Sequence, residues 1–176
     1  MPTSLVLTFI GHDKPGLVNA ISETIAAAGG NWQESRLARL SGEFAGILLI
    51  NAPTPNIPTL TAALKALEAT GLRITIAPAT ATTPETEETT LTLNLVGHDR
   101  PGLVRDVTQA LIAVGANIEE FSSFIESAAF TGDTMFHATA RLHLPANTTT
   151  EDVRKTLERL ADEIMVDLTA NTAESP

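Results

Sequence analysis

The strongest constraint on this chain is an eight-residue motif that occurs twice. Gly-His-Asp-Lys-Pro-Gly-Leu-Val fills positions 11–18 and Gly-His-Asp-Arg-Pro-Gly-Leu-Val fills positions 97–104, so the two copies differ only at Lys14 and Arg100. The same spacing of 86 residues relates three further pairs, Gly29 with Gly115, Asn31 with Asn117 and Glu34 with Glu120. A spacing kept over this length indicates an internal duplication. The sequence therefore predicts two copies of one folding unit.

The segment between the copies differs in composition from both of them. Residues 78–90 are rich in Thr, Pro, Ala and Glu and offer few side chains to a hydrophobic core, which is typical of a linker. We therefore expect a first domain at 1–79, a linker at 80–89 and a second domain at 90–172.

Hydrophobic spacing predicts the order of elements in the first copy, because apolar residues repeat every three or four positions in helices and every second position in strands. The predicted elements are a strand at 5–10, a helix with Leu17, Val18, Ile21, Ile25 and Ala28, strands at 32–40 and 44–51, a helix with Leu60, Leu64 and Leu67, and a strand at 72–76. The order is βαββαβ.

The second copy repeats this order. Its predicted elements are an alternating strand around Leu91–Leu95, a helix with Leu103, Val104, Val107, Leu111 and Val114, strands at 118–126 and 135–144, a helix with Val153, Leu157 and Leu160, and a strand at 164–168. Along 135–144, apolar residues alternate with His137, Arg141 and His143, as expected where only one face of a sheet is covered. The expected fold class is α+β, with two tandem ferredoxin-like βαββαβ domains whose helices cover one face of an antiparallel sheet.

The repeated motif lies between the first strand and first helix of each copy. Backbone N–H groups at a helix start favour an anionic group. Asp13 and Asp99 precede Pro15 and Pro101 by two residues, and two interpretations stay open. Each aspartate either caps its own helix or accepts a hydrogen bond from a ligand ammonium, while the backbone near the motif's second glycine binds the ligand carboxylate.

Other motif residues also leave alternatives open. Gly16 and Gly102 fit either close helix-to-sheet packing or the approach of a ligand, and Asn31 and Asn117 are either turn amides or ligand contacts. His12 and His98 recur without metal-ligand spacing. We expect no metal site and no cofactor.

Composition excludes several function classes. Eleven Lys and Arg against 21 Asp and Glu give a net charge of −10, which disfavours direct nucleic-acid binding. The chain contains no Cys, and no nucleophile stands beside a general base in a known catalytic motif. No apolar run approaches the ~20 residues that span a bilayer. We expect a cytoplasmic protein that is not an enzyme and does not bind membranes.

The motif, followed about one helix later by Asn117-Ile118, resembles the ACT domain. A tandem pair of this length, with Asn-Trp-Gln-Glu-Ser-Arg-Leu-Ala-Arg-Leu-Ser-Gly-Glu-Phe-Ala at 31–45, resembles the glycine cleavage system transcriptional repressor family. This resemblance implies a sensor of glycine or a similar small amino acid that controls transcription through a DNA-binding activator protein, without contacting DNA itself.

The resemblance also implies a place for the ligand. ACT domains pair side by side and bind an amino acid between the first loop of one domain and the second-strand region of its neighbour. The residues that match are Asp13, Lys14, Gly16, Leu17 and Asn31 in the first copy and Asp99, Arg100, Gly102, Leu103 and Asn117 in the second. Lys14 departs from the Arg of the fuller motif, and Trp32 is replaced by Ile118, so the two pockets are expected to differ.

Two alternatives to the sensor remain. One is a scaffold or dimerisation module without a ligand, and the other is a non-catalytic regulatory subunit of an amino-acid enzyme. In each case we expect a homodimer in which the two copies pair.

Overall fold

The computed structural model describes residues 1–80, 89–127, 132–160 and 164–171. The chain divides into two compact units, Met1–Thr83 and Pro84–Pro176, and each is described by itself. Of the predicted linker, residues 81–88 lie outside the described part of the chain.

The first unit contains four strands and two α-helices in the predicted order. They are β1 (Pro2–His12), α1 (Leu17–Ala27), β2 (Asn31–Leu40), β3 (Glu43–Pro53), α2 (Ile57–Ala66) and β4 (Arg73–Pro78), with short 3₁₀ turns at Thr54–Asn56 and Leu67–Thr70. The sheet order is β2-β3-β1-β4, and the pairs are antiparallel. This is the ferredoxin-like arrangement that the sequence predicts.

The second unit repeats this architecture. Its elements are β5 (Thr89–His98), α3 (Leu103–Ala113), β6 (Asn117–Ser127), β7 (Thr134–Leu144), α4 (Thr150–Glu158) and β8 (Ile164–Asn171), and its sheet order is β6-β7-β5-β8. Both β2 and β6 carry a bulge at the same place, between Trp32 and Glu34 and between Ile118 and Glu120. The α+β fold of two tandem βαββαβ units is therefore confirmed.

One hydrophobic core lies between the helices and the sheet of each unit. In the first unit, Leu7, Ile21, Leu48, Leu60 and Leu64 are completely buried. The second unit places Leu91, Leu142, Leu144, Val153 and Leu157 in the same environment.

The predicted apolar stripes of the first helices are wrong at one position each. Val18 and Val104 are 38% and 42% exposed, whereas the preceding Leu17 and Leu103 are buried. Successive residues in an α-helix lie about 100° apart, so both members of the Leu-Val pair cannot face the sheet. No helix of the described ranges is long and apolar enough to cross a membrane.

The face of each sheet opposite the helices, called its open face, differs between the units. In the first unit, Val6 pairs with Leu49 and Thr8 pairs with Ile47, and Ile47 is 48% exposed. In the second unit, the alternation of β7 places His137, Arg141 and His143 on the open face, as predicted. The first open face is apolar at its centre and the second is polar.

Candidate ligand-binding loops

The motif loop of each unit is attached to the neighbouring hairpin by the backbone of its aspartate. The Asp13 N–H donates to the Gly42 carbonyl at 2.8 Å, and the Asp99 N–H donates to the Thr134 carbonyl at 2.8 Å. In the first unit, this hairpin turns through Ser41 and Gly42 with φ of 50° and 85°, which suits the twist of the flanking strands. The backbone of the two loops is thus held in the same way.

Gly16 and Gly102 begin the first helices, and the predicted aspartate cap is wrong. Both glycines occupy the N-cap position with φ of 91° and 85°, and no side chain caps either helix. A Cβ built on Gly16 meets nothing within 4 Å, so close helix-to-sheet packing does not explain that glycine. The left-handed backbone conformation of Gly16 explains why glycine is found there, because a residue with a Cβ is strained in that conformation. The first-turn N–H groups are left without a side-chain acceptor from their own loop.

The carboxylate of Asp13 is bound by a side chain from β2. Arg39 Nε lies 2.6 Å from Asp13 Oδ2, with side chains that are 69% and 34% exposed, respectively. Sequence reasoning missed Arg39 because it lies 26 positions after Asp13 and is not repeated in the second copy. The register of the sheet supplies the signal: Arg39 pairs with Phe44, and Phe44 pairs with Gly11, two residues before Asp13.

The corresponding position in the second unit is Ile125. It pairs with Phe136, which pairs with Gly97, two residues before Asp99. Ile125 is 59% exposed and carries no charge. Asp99 is also exposed, and its carboxylate has no hydrogen-bond or ion-pair partner within residues 1–80, 89–127, 132–160 and 164–171.

Lys14 and Arg100 hold the variable position of the motif and have different partners. Lys14 Nζ donates to the Thr70 carbonyl at 2.6 Å. Arg100 instead lies 2.8 Å from Asp106 on α3. Hydrogen bonds from Arg100 and then from Arg105 lower the pKa of the Asp106 carboxyl below its ordinary value. The position equivalent to Asp106 is Ala20, which explains why Lys14 finds no such partner.

Two other predicted contacts lie elsewhere. The side chains of Leu17 and Leu103 are buried in the cores, so only their backbones are accessible to a ligand. Asn31 pairs with Asn51, which pairs with Ser4 near the beginning of β1, whereas the motif loop follows His12 at its other end. These ends are roughly 26 Å apart at 3.3 Å per residue. Asn117 pairs with His143 and lies at the corresponding end of its sheet.

Within one unit, therefore, the asparagine and the motif loop do not meet. Trp32, which follows Asn31, also lies at the end remote from the loop. The expectation that the loop of one domain is joined by the second-strand region of its neighbour stays a prediction.

A cluster of charged and aromatic side chains occupies the open face of the second unit. Arg141 lies 2.8 Å from both Glu119 and Glu120. His143 lies 3.4 Å from Glu119, and His137 stacks on Phe124 with ring centroids 4.7 Å apart. Among the described residues, no group of three or more His, Cys, Asp or Glu could hold a metal ion.

The family follows from a direct match of the sequence. The ACT domain model matches residues 3–76 and 89–171, one match for each βαββαβ unit. The chain belongs to the ACT domain family. The resemblance inferred from the motif is confirmed, and both matches contain a motif loop.

Relatives of this ACT pair are similar along nearly the whole chain. The glycine cleavage system transcriptional repressor of Escherichia coli strain K12 is 28% identical over 162 residues, covering 91% of this chain and 85% of that protein. The protein of the same name from Shigella flexneri matches to the same extent. The predicted resemblance to these regulatory proteins is confirmed.

Solved structures also contain the tandem ACT arrangement. A protein of unknown function from Galdieria sulphuraria superposes with a TM-score of 0.86 at 28% identity, covering 98% of this chain and 100% of that one. A crystal structure assigned as a glycine cleavage system transcriptional repressor gives a TM-score of 0.70 at 20% identity, covering 97% and 99%. At that identity the second match bears on the fold alone.

Proposed function

We propose that this chain is an amino-acid-responsive regulator that acts through a protein partner. The observation that carries the proposal is the pairing, in one loop, of an aspartate with a helix start that no side chain caps. A carboxylate suits a ligand ammonium, and a helix start that no side chain caps suits a ligand carboxylate. An α-amino acid carries both groups.

The proposed contacts are those of the two motif loops. Asp13 and Asp99 would accept from the ammonium, and the backbone at Gly16–Leu17 and Gly102–Leu103 would donate to the carboxylate. The Leu103 N–H would exchange its 3.3 Å hydrogen bond to the Arg100 carbonyl for this contact. Lys14 and Arg100 would add positive charge at the loop. Asn31 and Asn117 would contribute only from a neighbouring domain, because each lies at the other end of its own sheet. We propose domains at 1–79 and 90–172, and a homodimer.

The choice of partner rests on charge and on the relatives. A net charge of −10 opposes the approach of a phosphate backbone. Since the E. coli and S. flexneri relatives are named as transcriptional repressors of the glycine cleavage system, we propose glycine or a similar amino acid as effector. We propose a DNA-binding transcriptional activator as the partner. On this proposal the chain is not an enzyme.

Thermal unfolding in the presence of small ligands tests the sensor. Ligands that bind only the folded state raise its stability, by about 2.7 kcal/mol at 100 times Kd. Glycine, alanine and serine are compared with glycinamide, which lacks the carboxylate, and with acetate, which lacks the ammonium. We expect the Tm to rise only with a zwitterion. Equal Tm values throughout an amino-acid panel would contradict the proposal and favour a scaffold.

Fluorescence anisotropy of labelled duplex DNA tests the route of action. At about 50 mM salt, where phosphate contacts are strong, the chain alone is expected to leave the anisotropy unchanged. The same DNA with a candidate activator is then measured with and without the chain. Binding of DNA by the chain alone would contradict action through a partner.

A further inference from the structure

The two motif loops present their aspartates in different electrostatic states. Arg39 lies 2.6 Å from Asp13, while Ile125 holds the equivalent register position beside the loop of Asp99. This difference does not arise from the motif, which has Asp in both copies. It arises from one position on the second strand of each unit.

We infer that the amino-acid ligand of the proposed function binds preferentially at the Asp99 loop, and that Arg39 weakens binding at the Asp13 loop. This inference rests on the proposed function. It assigns Arg39 as the residue that makes the two sites unequal, so that the second unit binds the ligand at lower concentrations than the first.

A ligand ammonium and Arg39 compete for the Asp13 carboxylate. A ligand ammonium that approaches Asp13 must displace the Arg39 guanidinium from the same carboxylate. Both side chains are partly exposed, so the pair is worth only a few-fold in an equilibrium constant, up to about fivefold.

The displaced Arg39 side chain also repels the ligand ammonium. Once displaced, Arg39 still carries its positive charge beside the ligand ammonium, which costs a further few-fold in a high dielectric. Together the two effects predict an affinity about five- to twentyfold lower at the Asp13 loop.

Among the described residues of the second unit, no cation is paired with the Asp99 carboxylate. The guanidinium groups of Arg105 and Arg100, which lie 3.2 Å and 3.9 Å from a Cβ built on Gly102, are paired with Asp106. All 11 Lys and Arg residues lie in the described part of the chain, and none contacts the Asp99 carboxylate there. The adjacent Arg100 has Asp106 as a partner at 2.8 Å. Asp99 therefore meets a ligand ammonium without prior exchange of an ion pair.

Calorimetric titration of the full chain with glycine, alanine and serine tests this assignment. We expect one dominant binding event per chain. Asp99→Asn should weaken it about tenfold or more, and this loss should exceed the loss caused by Asp13→Asn. The Asn variants keep the size of the side chain and remove only its charge.

Substitutions at Arg39 and Ile125, the equivalent positions of β2 and β6, test the assignment most directly. Arg39→Ile should strengthen the second, weaker event about five- to twentyfold, so that two events of similar affinity are measured per chain. Ile125→Arg should weaken the wild-type event about fivefold or more, and Ile125→Gln, similar in length but neutral, should leave it unchanged. Unfolding curves of each variant in urea verify that the fold is retained.

The outcomes separate the two ideas. Binding that is lost in Asp13→Asn and retained in Asp99→Asn would overturn the assignment while keeping the sensor, as would weaker binding in Arg39→Ile. Two equal sites in the wild type would overturn it in the same way. Silence of every folded variant towards all three amino acids would overturn the proposed function, and the assignment with it.

Discussion

The two motif loops share their backbone but not the partners of their charged side chains. Asp13 is paired with Arg39 and Lys14 with the Thr70 carbonyl, whereas Arg100 is paired with Asp106. The backbone is set by glycines and by one hydrogen bond to the hairpin, which the duplication preserved. The partners come from strands and helices that have since diverged. Two loops with nearly the same motif therefore need not bind a ligand equally well.

The open faces diverge in the same manner. Val6, Ile47 and Leu49 lie on the open face of the first unit, while the second unit has the Arg141 and histidine pairs with glutamates. The covered faces remain alike, because each must pack two helices. Divergence is therefore concentrated on the surfaces that solvent or a partner can reach, and the following predictions test how far the cores remain equivalent.

The largest expected effect is a loss that both cores share. Leu64 on α2 and Leu157 on α4 are completely buried at equivalent places. Leu64→Ala and Leu157→Ala should each lower the free energy of unfolding of their own unit by about 2–5 kcal/mol, from lost burial and the cavity left behind.

Urea unfolding measures these losses. The emission of Trp32, the single tryptophan, follows the first unit, and circular dichroism follows both units. Ile112→Ala, at a site that is 72% exposed, is the control and should change stability by less than about 0.5 kcal/mol. A loss below about 1 kcal/mol in only one core variant would show that the two cores are not equivalent.

A smaller effect is expected at a cross-strand pair whose two side chains differ in size between the two sheets. Gly46 on β3 faces Leu37 on β2, whereas Ala138 on β7 faces Ser123 on β6. A Cβ at Gly46 would crowd the Leu37 side chain and lie 2.9 Å from Phe9. Gly46→Ala should therefore destabilise the first unit by about 1–3 kcal/mol.

A second substitution, at Leu37 on β2, should restore part of the stability lost in Gly46→Ala. Adding Leu37→Ser to Gly46→Ala recreates the pair found in the second unit, and the double variant should lose less than the sum of the single losses. Denaturation followed by Trp32 emission measures each term of the cycle. Strict additivity would show that Leu37 is not the side chain that excludes a Cβ at position 46.

The fold of both units could be predicted because apolar spacing is a local property. Leu91, Leu93 and Leu95 alternate, and this alone places a strand with one buried face. The partner of Asp13 could not be predicted in this way. Arg39 reaches it only through the register of three strands, and a side chain that belongs to no repeat gives no signal in one sequence.

The distance between the asparagines and the motif loop of the same unit has a different cause. Asn31 follows the motif closely in sequence, separated from it by one helix. An 11-residue helix carries the chain about 16 Å at 1.5 Å per residue, back towards the start of β1. The order of the elements therefore predicts this separation, although Asn31 and the motif are close in sequence.

In both units a side chain donates a hydrogen bond to a carbonyl at the end of the first helix, but the donor residue differs. The side-chain amide of Asn56 donates to the Ala28 carbonyl at the end of α1, at 2.8 Å. In the second unit, the Thr148 hydroxyl donates to the Val114 carbonyl at the end of α3, also at 2.8 Å.

Asn56→Ala and Thr148→Val should each cost about 1 kcal/mol, the usual net value of one partly buried hydrogen bond. Urea midpoints measure the loss, with Asn147→Ala as an exposed neighbouring control. If one variant loses stability and the other does not, the two groups are not equivalent caps.

The smallest expected effect is a difference in acid stability. In the first unit, hydrogen bonds from the Ile74 N–H and then from Lys65 lower the pKa of the Glu68 carboxyl. In the second unit, Arg100 and Arg105 lower the pKa of Asp106, and the hydroxyl and N–H of Thr149 lower that of Asp152.

A carboxyl whose pKa is depressed by folding stabilises the folded state above its unfolded pKa, and this contribution is lost as the pH falls through its folded pKa. Glu68 and Asp152 are exposed and Asp106 is only partly buried, so solvent screens these charges and each contribution is small. Asp106→Asn should destabilise the second unit slightly at pH 7 and have no effect once Asp106 itself is protonated. Urea midpoints between pH 7 and pH 2 measure the convergence of variant and wild type. A constant difference over that range would mean that Asp106 acts through packing or helix propensity. The ion pairs of Asp106 with Arg100 and Arg105 would then not contribute to the stability of the second unit.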